Sequence, residues 1–155
     1  MSFRITGLSP EPFIGLYGLD DAALRARGVE ACIADAAPGF PDRITLCDAR
    51  PGQRVLLLNY LHQPASNPYR ASHAIFVLEG ATRPFDAVDC VPQALRVRPL
   101  SLRAFDGDDR MVDADLVEGG AVEGLIERLL GQAGVAYVHA HYARRGCYAA
   151  RIDRA

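Results

Sequence analysis

All four histidines of this chain fall in two short blocks. His62 and His73 flank the segment His62-Gln63-Pro64-Ala65-Ser66-Asn67-Pro68-Tyr69-Arg70, and His139 and His141 share the run Tyr137-Val138-His139-Ala140-His141-Tyr142. The same blocks carry Tyr60, Ser72, Arg144, Arg145, Cys147 and Tyr148, a density of reactive polar groups found nowhere else in the sequence. Imidazole changes charge near neutral pH, so His73, His139 and His141 are the candidate acid–base groups. Arginine forks and turn amides suit carboxylate or phosphate. Tyr60, His62, Tyr69, Arg70, Ser72 and Arg145 are therefore the candidate binding residues, and the expected ligand is a small anion.

Strand alternation puts Tyr137, His139 and His141 on one face, with Val138, Ala140 and Tyr142 on the other. The apolar face is expected to pack inward and the histidine face to line a cleft or the surface. An H-x-H pair can present two imidazoles to one divalent metal. Spacing identifies no third ligand, so no metal or cofactor is assigned. Cys147 is a candidate nucleophile because arginines and histidines nearby in sequence would favour its thiolate. A hairpin with its turn at 143–146 sets Tyr142 opposite Cys147 and His141 opposite Tyr148, which turns the thiol away from the two histidines. Only a bulge or a histidine from the first block would serve it.

Several chemistries are excluded outright. All 17 basic residues are arginine, so Schiff-base catalysis through a lysine and a P-loop lysine are both excluded. No G-x-G-x-x-G, G-x-S-x-G or H-E-x-x-H run occurs. Asp106-Gly107-Asp108-Asp109 lacks the order of a calcium loop and reads as a turn. With 19 acidic residues and a formal charge of −2, the chain has no basic stripe for nucleic acid. No apolar run approaches a membrane span and the first residues lack a signal-peptide pattern. Cys32, Cys47, Cys90 and Cys147 show no C-x-x-C spacing, which fits free thiols and a cytoplasmic setting.

The elements that must position these groups follow from the hydrophobic period. At 155 residues, half of them hydrophobic, the chain is expected to form one domain over 1–155 whose core needs no metal or disulfide. Short helices are predicted after Ser9-Pro10 and from Asp20 or Asp21 to Gly28. Strands are predicted at Val29–Ala34, Arg43–Cys47, Arg54–Tyr60 and Ala74–Leu78, the last two as antiparallel partners. Leu95–Phe105 reads as one strand interrupted at Pro99, followed by a strand at Met111–Val117. Val122, Leu125, Ile126, Leu129 and Leu130 share one helical face. The closing hairpin, Val135–Tyr142 with Cys147–Ile152, completes an α+β fold of mainly antiparallel sheet with two or three helices.

Pro38-Gly39-Phe40-Pro41, Leu56-Leu57-Leu58-Asn59-Tyr60 with His62-Gln63-Pro64, Pro68-Tyr69-Arg70-Ala71-Ser72-His73, and His139-Ala140-His141 with Arg145-Gly146-Cys147 together resemble the bacterial domain of unknown function 1203. The resemblance spans essentially the whole chain and implies a small single-domain protein; it implies no activity, cofactor or catalytic residue. Two functions are consistent with the sequence. One is a pocket for a small anionic molecule, formed by the His62–His73 segment and the Tyr137–Tyr148 hairpin, with Arg70 and Arg145 holding the anion. The other is a non-catalytic interaction or assembly module whose exposed tyrosines and arginines are contact anchors. Convergence of the two blocks in space discriminates between them.

Overall fold

The computed structural model describes residues 1–155. In chain order its elements are β1 (Phe3–Thr6), α1 (Glu11–Ile14), α2 (Asp21–Arg25), β2 (Glu30–Ile33), β3 (Arg54–Gln63), β4 (Ala71–Leu78), β5 (Asp86–Val88), α3 (Gln93–Arg96), β6 (Pro99–Phe105), β7 (Met111–Glu118), α4 (Val122–Leu130), β8 (Tyr137–Tyr142) and β9 (Tyr148–Arg154). They form a six-stranded sheet ordered β5-β1-β9-β8-β6-β7 and a three-stranded sheet ordered β2-β3-β4, with every named strand pair antiparallel. The architecture is α+β and mainly sheet, as the hydrophobic periods imply. No helix is long and apolar enough to cross a membrane.

The larger core lies on one face of the six-stranded sheet. Val122, Leu125, Ile126, Leu129 and Leu130 of α4 are all buried and join Leu100, Leu102 and Ala104 of β6 with Val138, Ala140 and Tyr142 of β8. Each of the valines, leucines and isoleucine among them contributes about 1.5–3 kcal/mol by leaving water, so this face anchors the sheet. A second core joins Phe13 and Leu24 of the short helices to Ile44, Leu56, Leu58, Ile75 and Val77 beside the small sheet. Asp20 caps α2 by accepting from the Ala23 N–H at 2.8 Å, and Gly28 ends that segment at φ 72°.

Three expectations need correction. Arg43–Cys47 is a turn, because the buried Asp42 carboxylate accepts from the Thr45 N–H and hydroxyl (both 2.7 Å) and from the Leu78 N–H (2.8 Å). Local side-chain bonds of this kind compete with a sheet ladder, and Leu46 takes φ 53°. Residues 93–96 are a helical turn after Pro92, so Pro99 opens β6 and does not interrupt a longer strand. The strand β3 runs on to Gln63, which reduces the long loop to 64–70. The strands β1 and β5 have no counterpart in the sequence reading; at four and three residues they are too short for alternation to reveal them.

Candidate functional site

The strand β8 separates two polar constellations. Its residues are buried on both faces, so the histidine face is neither cleft nor surface as expected, but is covered. Two bulges do the covering. The β3–β4 register shifts between Leu61 and Gln63, which leaves His62 as the extra residue, and a bulge of this kind re-aims a side chain. The β8–β9 register shifts between Ala140 and His141, so His141 pairs with Tyr148 as predicted while Ala140 pairs with Ala150 and His139 with Arg151. The spare residue, Ala149, allows Tyr148 and Arg151 to share the histidine face although they are three positions apart.

On that face the His62 ring stacks on Tyr148 at 5.3 Å between centroids, 8° from parallel, and meets the edge of His141 at 5.0 Å. The His139 ring lies 6.2 Å from His62 and 5.1 Å from Tyr148. The register also brings Arg103 beside His139 and Ser101 beside His141. Gln63 donates to the Tyr137 hydroxyl (2.9 Å), which in turn donates to Asp109 (2.6 Å). Burial holds the imidazoles neutral and is the largest cause at each; it is aided by Arg103 at all three, and lowers His62 to about 4 and His139 and His141 to about 3. Burial likewise lowers Arg103, which makes no ion pair.

On the other face of β8 lies a cavity of about 460 Å³ walled by Pro38, Gly39 and Pro41, by β4, by Arg98 and Pro99, and by the β8–β9 turn. Its lining includes Arg43, Arg98, Arg144 and Arg145 and no carboxylate. Arg43 is 1% exposed; it donates to the Tyr148 carbonyl (2.8 Å), the Pro41 carbonyl (2.5 Å) and Cys147 Sγ (3.1 Å). Arg98 pairs with Asp48 through two bonds of 2.9 and 2.5 Å. The Tyr142 ring packs against both, its centre 4.8 Å from the Arg43 guanidinium and 5.1 Å from that of Arg98. Its hydroxyl is buried without a hydrogen-bond partner, and burial, the largest cause, raises it to about 12, so it remains protonated at neutral pH.

The two sequence blocks thus converge, but in divided form. His62 meets His139 and His141, whereas His73 lines the arginine cavity with Arg145 and Cys147. Cys147 faces away from His139 and His141, as the hairpin register implies, and its only side-chain hydrogen bond comes from Arg43. Tyr60 packs 6.4 Å from Tyr148 outside the cavity. Tyr69 lies under Arg110 at 5.8 Å and Arg70 bonds the Ala65 carbonyl at 3.4 Å, so neither they nor Ser72 reach either constellation. The hairpin tyrosines Tyr137, Tyr142 and Tyr148 are buried and present no surface anchors. Arg43, Arg98 and Arg103 escaped the sequence reading, which placed Tyr142 on the inward apolar face and gave it no role. Only Arg43 had a signal, its place two residues after Pro38-Gly39-Phe40-Pro41.

A small α+β protein with an arginine-walled cavity behind one strand and a histidine cluster in front of it is the class these features define. The chain belongs to the family described as Protein of unknown function (DUF1203), whose model matches residues 39–154 and so takes in the histidine cluster and every residue of the cavity wall but Pro38. No curated protein and no solved structure matches the chain.

Proposed function

We propose that this protein binds a small anionic molecule in the cavity bounded by Arg43, Arg98, Arg144 and Arg145. The observation that carries this reading is charge: four guanidinium groups and no carboxylate line one concavity of about 460 Å³, a volume suited to a metabolite. Asp48 offsets Arg98, which leaves three cations without an acidic partner. Arg144 and Arg145 are exposed at the rim and free to fold over a ligand, while Arg43 is fixed at the back by its three acceptors. Tyr142 also lines the cavity, and its unpartnered hydroxyl is a neutral donor once binding uncovers it. His73 is the one histidine on the wall; its Nδ1 lies 3.0 Å from the Ala74 carbonyl, which leaves Nε2 to exchange a proton with the ligand.

A thermal-shift series with inorganic phosphate, citrate and a nucleoside monophosphate against uncharged analogues tests the proposal. A ligand at a hundred times its Kd stabilises the native state by about 2.7 kcal/mol, a rise of several degrees for a chain of this size. The double variant Arg144→Ala/Arg145→Ala, altering only exposed side chains, should keep the unliganded Tm and lose the response. A flat response across the anions, or an undiminished response in the double variant, overturns the reading.

A further inference from the structure

We propose that His62, His139 and His141 form a binding site for one divalent first-row transition metal, zinc foremost, with a fourth coordination position taken by water or an anionic ligand. One nitrogen from each ring lies within 4.8 Å of the others. Tetrahedral zinc with bonds of about 2.0–2.1 Å requires nitrogens about 3.4 Å apart. Closure by about 1.4 Å is within reach of small side-chain rotations, and His62, on a bulge and half-buried, is the ligand freest to make it.

The orphaned atoms point the same way. Of four buried side-chain nitrogens and oxygens in the chain that lack a hydrogen-bond partner, three are His62 Nδ1, His139 Nδ1 and His141 Nε2. Each such atom carries an uncompensated desolvation penalty if left alone, so three in one corner call for a shared partner. At His141 the tautomer is already set: Nδ1 lies 2.9 Å from the Gly146 carbonyl, which can only accept, so Nδ1 carries the hydrogen and Nε2 a free lone pair. A ligating histidine is commonly held in this way by a carbonyl on its far nitrogen. Burial keeps all three rings in the neutral form a metal requires.

Three neutral imidazoles do not cancel the charge of a divalent ion, and no carboxylate completes the cluster. The half-buried Arg103, without an ion-pair partner and opposite His139, adds a second positive charge. That pairing favours an anionic fourth ligand, such as hydroxide or a carboxylate. Three protein nitrogens with an open position is the arrangement of catalytic zinc sites, whereas a structural site would be closed by a fourth side chain. This site lies on the face of β8 opposite the arginine cavity and does not depend on what that cavity binds.

The test is titration of chelator-treated, full-length protein with Zn²⁺ and Co²⁺. One ion per chain is expected, with the visible d–d absorption of four- or five-coordinate cobalt and no thiolate charge-transfer band. His62→Ala, at a half-buried bulge, should keep the native circular dichroism and lose at least about a hundredfold in affinity, at or beyond the cost of removing an outer-shell partner. His139→Gln, closer in size to histidine, should do the same, and Cys90→Ser should bind as the native chain does. Absence of binding to the native protein, or unchanged affinity in folded His62→Ala, overturns the proposal and leaves bridging water as the partner of these nitrogens. The phosphate response of metal-free His62→Ala, read in parallel, reports on the arginine cavity alone.

Discussion

Replacing Tyr142 with phenylalanine should move stability and ligand affinity in opposite directions. The Tyr142 hydroxyl is buried and has no protein partner, and the Arg43 and Arg98 guanidinium groups lie 4.8 and 5.1 Å from the centre of its ring. An unsatisfied buried hydroxyl costs about 1–3 kcal/mol, and phenylalanine removes it while preserving the ring and both stacking contacts. At about 2–4 °C per kcal/mol for a domain near this size, the unliganded variant should melt at least about 2 °C higher. Binding must uncover this hydroxyl before it can donate to the anion, and a hydrogen bond to a charged group is then worth about 1.5–3 kcal/mol, or roughly 10- to 150-fold in Kd. Differential scanning fluorimetry gives the first quantity and calorimetric titration of the best anion the second. General damage to the fold cannot raise Tm while weakening binding. A lower Tm in Tyr142→Phe would refute the reasoning by showing the hydroxyl already satisfied, and an unchanged Kd would remove Tyr142 from the site.

Other expectations concern the supports of that cavity. Arg43→Ala leaves two buried carbonyls without donors and opens a void, which should cost about 3–5 kcal/mol and appear as a large fall in the urea midpoint; a loss under 1 kcal/mol would show the guanidinium to be dispensable. The Asp48 side chain is only 4% exposed; burial opposes its ionisation, but the bonds from Arg98 and the Gly39 N–H prevail and lower its pKa. A carboxylate lowered in the folded state stabilises fully above its unfolded pKa of about 3.9 and loses that contribution as pH falls further. The stability gap between the native chain and Asp48→Asn should therefore be constant at neutral pH and close progressively below about pH 4, measured by urea melts at stepped pH. In thiol alkylation, the exposed Cys47 and Cys90 should react at ordinary rates and the buried Cys147 far more slowly. A Cys147 that outpaces the exposed thiols would restore the nucleophile that its buried position argues against.

The local grammar of this fold was legible in the sequence wherever one residue pattern dominated. The apolar stripe of α4, the Asp20 cap and Gly28 stop of α2, the β3–β4 pairing and the closing hairpin follow from periods and caps that act within a few residues. The sequence also isolated the two histidine blocks and the arginine-only chemistry, because both are matters of residue type. Elements whose form depends on distant partners were not legible. The strands β1 and β5 exist because they pair with each other and β1 with β9, and the 42–46 turn exists because a buried Asp42 also holds Leu78.

What tertiary structure alone decided is the partition of the reactive groups. Alternation placed His139 and His141 together and turned Cys147 from them, and that was correct. It could not foresee that a bulge at His62 would bring a third imidazole onto their face, since a bulge changes side-chain parity without a mark in the sequence. Nor could spacing show that Arg43 and Arg98, from a turn and a strand approach some fifty residues apart, would meet Arg144 and Arg145 around Tyr142, because long-range packing sets that meeting and no short-range pattern encodes it. Residue types determined which chemistry this chain can do, and two register shifts with one buried turn decided where its cations and imidazoles are brought together.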